Sequence, residues 1–415
     1  MDKEIGIEQY ATQSAPCHAK VKQVEEDFHV EELLSMDGVR QEPVPGYYPL
    51  YRVEKRSIDT MHMGDELAKV LGSRVSYGGL KDKEAVAIQY VTPTKSLSST
   101  PKSVDRSKFS ARLVGYAPRR VSRGSVAGNR FTITLRECCP EIGSRASDIL
   151  ELARKKRLPN YFGYQRFGAQ GVGTHEVGKA IVKRDFRGAV ELILGRRVHA
   201  DDGEPAARET TEVGQAGDNP RLKFGQDTER AVAGSLARNP TDHVRALRAA
   251  PPRLRRFYVQ AFQSFMFNKT LSRALASELD ISAMEDGDNW AELDDSELGV
   301  KKIHGVRETR IPEGVPMVQL AGYAFRDYGS RFDKLTMAVM AQEGVTAKDF
   351  YIKELQEASA EGGFRVPHMQ VRDARLEDER EGTAVLGFVL ARGQYATVLL
   401  REIIKPDDPR ASGLA

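Results

Sequence analysis

Asp82 stands in the stretch Gly78-Gly79-Leu80-Lys81-Asp82-Lys83-Glu84-Ala85, a single aspartate set among glycines and lysines just ahead of an apolar segment. Glycines permit backbone angles that other residues avoid, so such a turn can hold an acid at a fixed point facing a cleft, where it can serve as nucleophile or base. The same eight residues also fit an ordinary hairpin connection. A second chemistry-bearing group is Pro159-Asn160-Tyr161-Phe162-Gly163-Tyr164-Gln165-Arg166-Phe167-Gly168, in which aromatics alternate with amides, an arginine and glycines. That interleaving suits unstacked bases. Stacking on an aromatic ring is worth about 1 to 3 kcal/mol per base, comparable with the few kcal/mol needed to extrude a base. A loop whose rings simply fill the core would have the same composition.

The elements that must position these groups are legible in part. Strands are predicted at Val75 to Tyr77 and Ala85 to Val91, which puts Asp82 on the loop between them. Short strands are predicted within 20 to 55, with Val24, Phe28 and Val30 apolar and Leu50 to Val53 following a Pro/Gly-rich turn. A helix follows, capped by Asp59 or Thr60, with Met63, Leu67, Val70 and Leu71 on one face and Gly72 closing it. The strand Arg130 to Arg136 leads into a helix bearing Ala146, Ile149, Leu150 and Ala153, and ending in Arg154-Lys155-Lys156-Arg157 before Pro159. Residues 200 to 228 are expected to be a loose connection. The span Leu254 to Leu271 reads as a helix whose aromatic stripe (Phe257, Tyr258, Phe262, Phe265) belongs to the core. Strand-like segments return at Phe364 and end in Ala384 to Leu390 and Tyr395 to Leu400. This order predicts an α+β fold with a mixed, largely antiparallel sheet, and a terminal segment that returns to complete the first sheet around an insertion.

At 415 residues the chain exceeds the size of a single core, so two domains are expected. Charged residues make up 29% and apolar ones 40%, and no apolar run approaches the roughly 18 residues that span a bilayer. No secretory signal is apparent at the start, and a cytoplasmic location is expected. The cysteines, Cys17, Cys138 and Cys139, lack a Cys-x-x-Cys pair or a histidine at ligand spacing. Neither a metal site nor a disulfide framework is expected, and Cys138 and Cys139 are read as reduced, small apolar residues at a strand end.

The net charge of +3 is unevenly spread. Arg106, Lys108, Arg112, Arg119, Arg120, Arg123 and Arg130 occur without an intervening acid, the footprint expected for a phosphate backbone. Residues 277 to 298 are acidic throughout and should face away from a polyanion. The stretch Gly168 to Gly173 lacks the Gly-Lys-Ser/Thr ending of a phosphate loop and the acidic ribose partner of a dinucleotide fold. No Gly-x-Ser-x-Gly elbow is present.

The two chemical motifs occur together and in order, and in this the chain resembles the TruD family of tRNA pseudouridine synthases, in its archaeal branch. The resemblance rests on Gly79-Leu80-Lys81-Asp82 with Ala85, on Asn160-Tyr161-Phe162-Gly163 with Gln165-Arg166-Phe167-Gly168, and on Lys22 with Glu26 to Glu32. It continues in Gly128-Asn129-Arg130-Phe131, Gln263-Ser264-Phe265-Met266-Phe267-Asn268 and Phe388 to Glu402. Val24-Glu25 stands where a proline-glutamate is common, and Ala391 replaces a usual proline.

The resemblance implies a pseudouridine synthase catalytic domain at 1–186 and 361–415, with an α/β insertion domain at 187–360. It implies uridine isomerisation in tRNA, at position thirteen, without cofactor or metal. The N1–C1′ glycosidic bond breaks, the base turns, and C5 rejoins the sugar. By resemblance Asp82 is the catalytic carboxylate, Lys22 its counter-charge, Asn160 its orienting amide and Phe162 the ring that stacks on the uracil. Phe28, Gln165, Arg166, Lys81, Arg119, Arg120 and Arg123 are expected to contact the RNA. Attack at C1′, attack at C6, and proton abstraction to a glycal all assign Asp82 the same position. A synthase for another RNA site and a non-catalytic RNA-binding or chaperone protein are the alternatives.

Overall fold

The computed structural model describes residues 1–95, 97, 99–168, 173–195, 220–305, 308 and 313–415. Its strands are β1 (Phe28–Leu34), β2 (Tyr48–Lys55), β3 (Val75–Tyr77), β4 (Val86–Pro93), β5 (Ser103–Asp105), β6 (Phe109–Ala117), β7 (Val126–Arg136), β8 (Asn289–Leu293), β9 (Val300–His304), β10 (Val315–Leu320), β11 (Gly363–Arg365), β12 (Val371–Arg380) and β13 (Thr383–Ala391). The helices are α1 (Thr60–Leu71), α2 (Ile142–Arg154), α3 (Thr174–Val182), α4 (Phe186–Ile193), α5 (Pro220–Arg238), α6 (His243–Ala249), α7 (Pro252–Ala276), α8 (Arg331–Glu343) and α9 (Ala396–Ile404). Among the described residues no helix is long and apolar enough to cross a membrane.

Among the described residues nine strands form one sheet in the order β12-β13-β7-β1-β4-β2-β6-β5, with β3 alongside β4. β1 and β4 pair in parallel, His29 opposite Val86 and Glu31 opposite Ile88, and the sheet's other described pairs are antiparallel. A parallel pair enters the sheet at the same end, so the chain leading into β1 and the loop leading into β4 emerge side by side. Those two segments carry Lys22 and Asp82. At the sheet centre β4 is buried at nearly every position, whereas β7 alternates between buried and half-exposed residues over most of its length.

One face of the sheet is laid down by Phe28, Phe131 and Phe388. Their ring centroids are 5.9 and 5.4 Å apart across β1, β7 and β13. α2 packs over this end of the sheet and against α9. α1 forms as its sequence dictates. Asp59 accepts hydrogen bonds from the Met61 and His62 amides, Met63, Leu67 and Leu71 are buried, and Gly72 closes the helix in the left-handed region at φ 66°.

The second sheet, β11-β10-β8-β9, is antiparallel and drawn from residues 289 to 365. α7 runs beneath it with Phe262 and Met266 fully buried, packed on α3 and α8. Among the described residues one apolar cluster extends from Ile149 and Phe388 through Phe262 to Phe332 and Phe350, and a separate one under α1 holds Tyr51, Met63 and Leu67.

Four sequence expectations are corrected. Tyr395 to Leu400 is not a strand. Residues Ala396–Ile404 form α9, and because all nine are buried no amphipathic period marks the helix. The loose connection expected at 200 to 228 gives way to α5 from Pro220, while residues 200 to 219 lie outside the described residues. Val24 is not in a strand; it is 47% exposed, at the entry to a 3-10 turn over Glu25–Asp27. Cys139 is not a reduced strand-end residue but is disulfide-bonded to Cys17, and Cys138 alone is free. The Cys139 amide donates to His18 O at 2.9 Å, an alignment that brings together cysteines 122 residues apart and that no local spacing announces.

Candidate active site

Asp82 and Lys22 meet as the parallel β1–β4 pairing requires, with Lys22 Nζ 3.2 Å from Asp82 Oδ2. The side chains are 28% and 14% exposed, so the pair is open to a ligand and yet partly shielded from water. Lys22 adopts a left-handed backbone, φ 58°, which costs a non-glycine residue about 1 kcal/mol or more. The surroundings hold it there. Val21 donates to Ser412 O at 2.9 Å, and the Lys22 ammonium rests 4.8 Å above the Phe28 ring. Phe28 is itself buried, so its ring acts as a floor for Lys22.

The glycines before Asp82 serve a purpose other than the expected one. Neither Gly78 nor Gly79 occupies the left-handed region. A Cβ on Gly78 would lie 2.4 Å from Val126 Cγ2, so close packing is what demands glycine there. Gly78 thereby presses the Asp82 loop against residues 122 to 126. Lys81 anchors the same loop. Its amide donates to Thr60 Oγ1 at 2.9 Å, and its ammonium lies 3.0 Å from the buried Glu32 carboxylate and donates to Asn129 Oδ1 at 2.7 Å. Lys81 thus fixes the turn from within.

Lys55, which sequence reasoning missed, is fully buried and donates to the Asp82 carbonyl at 2.5 Å and to Ile58 O at 2.8 Å. The signal was present. Strand alternation puts position 55 on the buried side with Tyr51 and Val53. Burial pushes the Lys55 ammonium down from 10.5 to about 8, partly opposed by the Asp82 charge.

The unfolded chain keeps this proton to a higher pH than the folded one, so between about 8 and 10.5 unfolding takes up a proton. The charged form is therefore a native-state cost, on the order of 3 kcal/mol below pH 8 at about 1.4 kcal/mol per unit, which is relieved as pH rises to about 10.5. Catalysis that uses the Lys55 charge beside Asp82 is expected to decline with an apparent pKa near 8 while this contribution to stability increases. Parallel pH–rate and melting measurements check this. An alkaline limb that persists unchanged in Lys55→Met would exclude Lys55 as its source.

A second cluster gathers the aromatic motif. The Asn160 amide donates to Val366 O at 2.9 Å, and its Oδ1 accepts from Arg365 at 2.6 Å. The Phe162 backbone is clasped by Asn268 on α7, which accepts from its N–H at 2.8 Å and donates to its carbonyl at 3.0 Å. The Phe162 ring is half-buried and meets Phe267 edge-on at 5.4 Å and Tyr395 at 6.3 Å. Arg166 donates to Ser264 Oγ at 3.1 Å and Gln260 Oε1 at 3.3 Å, and Gln165 accepts from Thr397 at 3.3 Å. Tyr161, Tyr164 and Phe167 are core residues. The motif Gln263 to Asn268 therefore does two things: its rings build the core, while Ser264 and Asn268 grip the 160–168 loop.

Arg119, Arg120 and Arg123 are exposed on the loop between β6 and β7. That loop is tied to the sheet by Ser76 Oγ, which donates to Val121 O at 2.6 Å, and by Thr92 Oγ1, which accepts from Val121 N at 3.0 Å. Arg392 donates to Arg123 O at 2.6 Å, and the next residue, Gly393, accepts from Arg365 at 3.0 Å. The Asp82 loop, the basic loop and the aromatic cluster are thus neighbours in one continuous series. Arg112 and Arg130 are partly neutralised by Asp105 at 2.6 Å and Asp373 at 3.9 Å. Within the acidic stretch Asp288 is buried and pairs with Arg331 at 3.1 Å, so it has a structural task.

The molecule is thus an α+β protein in which a lysine-paired aspartate, a loop of exposed arginines and an aromatic loop are connected through a relay of contacts, groups of the kinds that an RNA-modifying enzyme can use. The family model described as tRNA pseudouridine synthase D (TruD) matches residues 4–403. A relative from Pyrobaculum neutrophilum, described as a probable tRNA pseudouridine synthase D, is 32% identical over 99% of this chain and 98% of its own length. One from Methanosarcina acetivorans with the same description is 30% identical over 98% and 97%. A crystal structure assigned to tRNA pseudouridine synthase D from Methanosarcina mazei superposes with a TM-score of 0.72 at 26% identity, covering 97% of both chains. The chain belongs to the tRNA pseudouridine synthase D family and is an isomerase.

Proposed function

We propose that this enzyme converts the uridine at position thirteen of tRNA to pseudouridine, with Asp82 as the catalytic carboxylate. The observation that carries this reading is the half-shielded Lys22–Asp82 pair, 3.2 Å apart on a loop braced by Lys55 and Lys81. A bound uracil excludes water, which would favour protonation of a carboxylate, and an adjacent ammonium opposes this. Lys22 is the counter-charge of Asp82, Phe162 stacks on the extruded base, and Asn160 uses its second amide N–H to orient the carboxylate and the uracil. The isomerisation is balanced without a redox partner: the N1–C1′ bond breaks, a C5–C1′ bond forms, and the C5 proton leaves as N1 gains one. Residues 1–186 and 361–415 constitute the catalytic unit and 187–360 the insertion, and the protein works in the cytoplasm.

Mapping pseudouridine in RNA from cells lacking the protein tests the substrate. Loss at position thirteen of tRNA is expected; loss only elsewhere would assign a different uridine. Binding should also depend steeply on salt. Each phosphate met contributes roughly 0.7 to 0.9 to the slope of log affinity against log salt. Replacing Arg119, Arg120 and Arg123 together with Gln is expected to flatten that slope by roughly 2 to 3 in filter binding, and an unchanged slope would remove them from the interface.

A further inference from the structure

Arg365, at the end of β11, is a largely enclosed cation that no role described above employs. Its guanidinium lies 4.0 Å from the centroid of the Phe162 ring and 5.6 Å from that of Phe267. Nε donates to Asn160 O at 3.1 Å, and Nη2 donates to Asn160 Oδ1 at 2.6 Å and Gly393 O at 3.0 Å. All three acceptors are neutral. Among the described residues no carboxylate pairs with Arg365, and Nη1, which carries two of the five guanidinium donors, has no protein partner and is not sealed from solvent.

Arg166 repeats the pattern on the same ring. It lies 5.8 Å from the Phe162 centroid and is held by the neutral oxygens of Ser264 and Gln260. Burial pushes the Arg365 guanidinium down to about 10, with Arg166 contributing, and burial lowers Arg166 too, with Arg123 contributing. Among the described residues the two fully buried arginines have acids, Arg401 with Asp2 and Arg255 with Glu357. Two partly desolvated guanidinium groups facing one ring without an acid are costly unless an anion arrives.

We propose that Arg365, with Arg166 beside it, binds a phosphate next to the target nucleotide, so that the base on Phe162 and its own backbone are fixed by one unit. The fork geometry of guanidinium suits a phosphate, and Nη1 is the donor left for it. Nε and Nη2 meanwhile lock Asn160, so seating the phosphate also settles the amide next to the base. This assignment rests on the substrate reading above.

The test is a double-perturbation cycle with the full chain: wild type and Arg365→Gln, each assayed on tRNA in which the linkage 5′ or 3′ of uridine 13 is a neutral methylphosphonate. The proposal expects wild type to lose about ten- to a hundredfold in kcat/KM at one linkage, the range of a charge-assisted hydrogen bond. Arg365→Gln should lose as much on unmodified tRNA, with no further loss at that linkage. Losses that multiply would mean Arg365 merely packs against Phe162, and would overturn the proposal. A wild type indifferent to both linkages overturns it regardless of how the variant folds. A wild type that leaves unmodified tRNA unconverted overturns the substrate reading, and this inference with it.

Discussion

Asp82→Asn is expected to abolish isomerisation, by roughly a thousandfold or more in kcat, while leaving tRNA affinity within about twofold. The substitution is nearly isosteric and keeps an oxygen for Lys22, so the loop should hold its shape. The exposed arginines that would meet phosphates lie on a different loop. What vanishes is the negative charge that acts on the base or sugar, and no other carboxylate is paired with Lys22 among the described residues. Single-turnover conversion and filter binding on the same preparation separate the two effects. Activity that survives the change would exclude Asp82 as the catalytic group, and affinity that collapses with it would mean the loop is chiefly a binding element.

Asn268→Leu should cost nearly as much by a different route. Asn268 is fully buried on α7 and makes three hydrogen bonds, to both backbone groups of Phe162 and to Ile5 O at 3.0 Å. Leucine fills similar volume but leaves an amide and two carbonyls without partners in the interior, each worth about 1 to 3 kcal/mol. A stability loss of about 3 to 5 kcal/mol and a melting temperature lower by roughly 5 °C or more are expected from calorimetry. The aromatic loop would lose its register with the Asp82 loop, so kcat should fall even in the fraction that remains folded. A variant with wild-type kcat would mean Phe162 is held adequately by Phe267, Tyr395 and Arg365 alone.

The contrast between these residues separates what local sequence carries from what it does not. Asp82 stood out locally by its setting among glycines and lysines, whereas Lys22, Asn160 and Phe162 were singled out only through the resemblance, since residue type alone would leave Lys22 a surface lysine and Phe162 a core ring. α1 was legible in outline because its cap, apolar face and closing glycine are all local. α9 was not, since a helix buried on every side loses the periodicity that separates it from a strand. Lys55 was written into the β2 alternation, yet its task appears only when the loop carrying Asp82 folds over it. Gly78 was read as a conformational glycine, but the requirement comes from Val126, 48 positions away in the chain.

The amino-acid sequence by itself determined the chemistry available to this protein: an aspartate with lysines, an aromatic loop, exposed arginines, and the strands and helices that bear them. Short-range propensity and residue type suffice for that. Residue type and spacing did not decide which cation faces which acid: the Lys22–Asp82 pair was expected from the resemblance alone, and the tertiary structure is what brings the two together. The parallel β1–β4 pairing sets Lys22 against Asp82 across 60 residues, and β11 delivers Arg365 to a ring 203 positions earlier. The disulfide between Cys17 and Cys139 arose the same way. Such contacts depend on strand order and shared burial, which follow from how the whole chain excludes water and from no local signal.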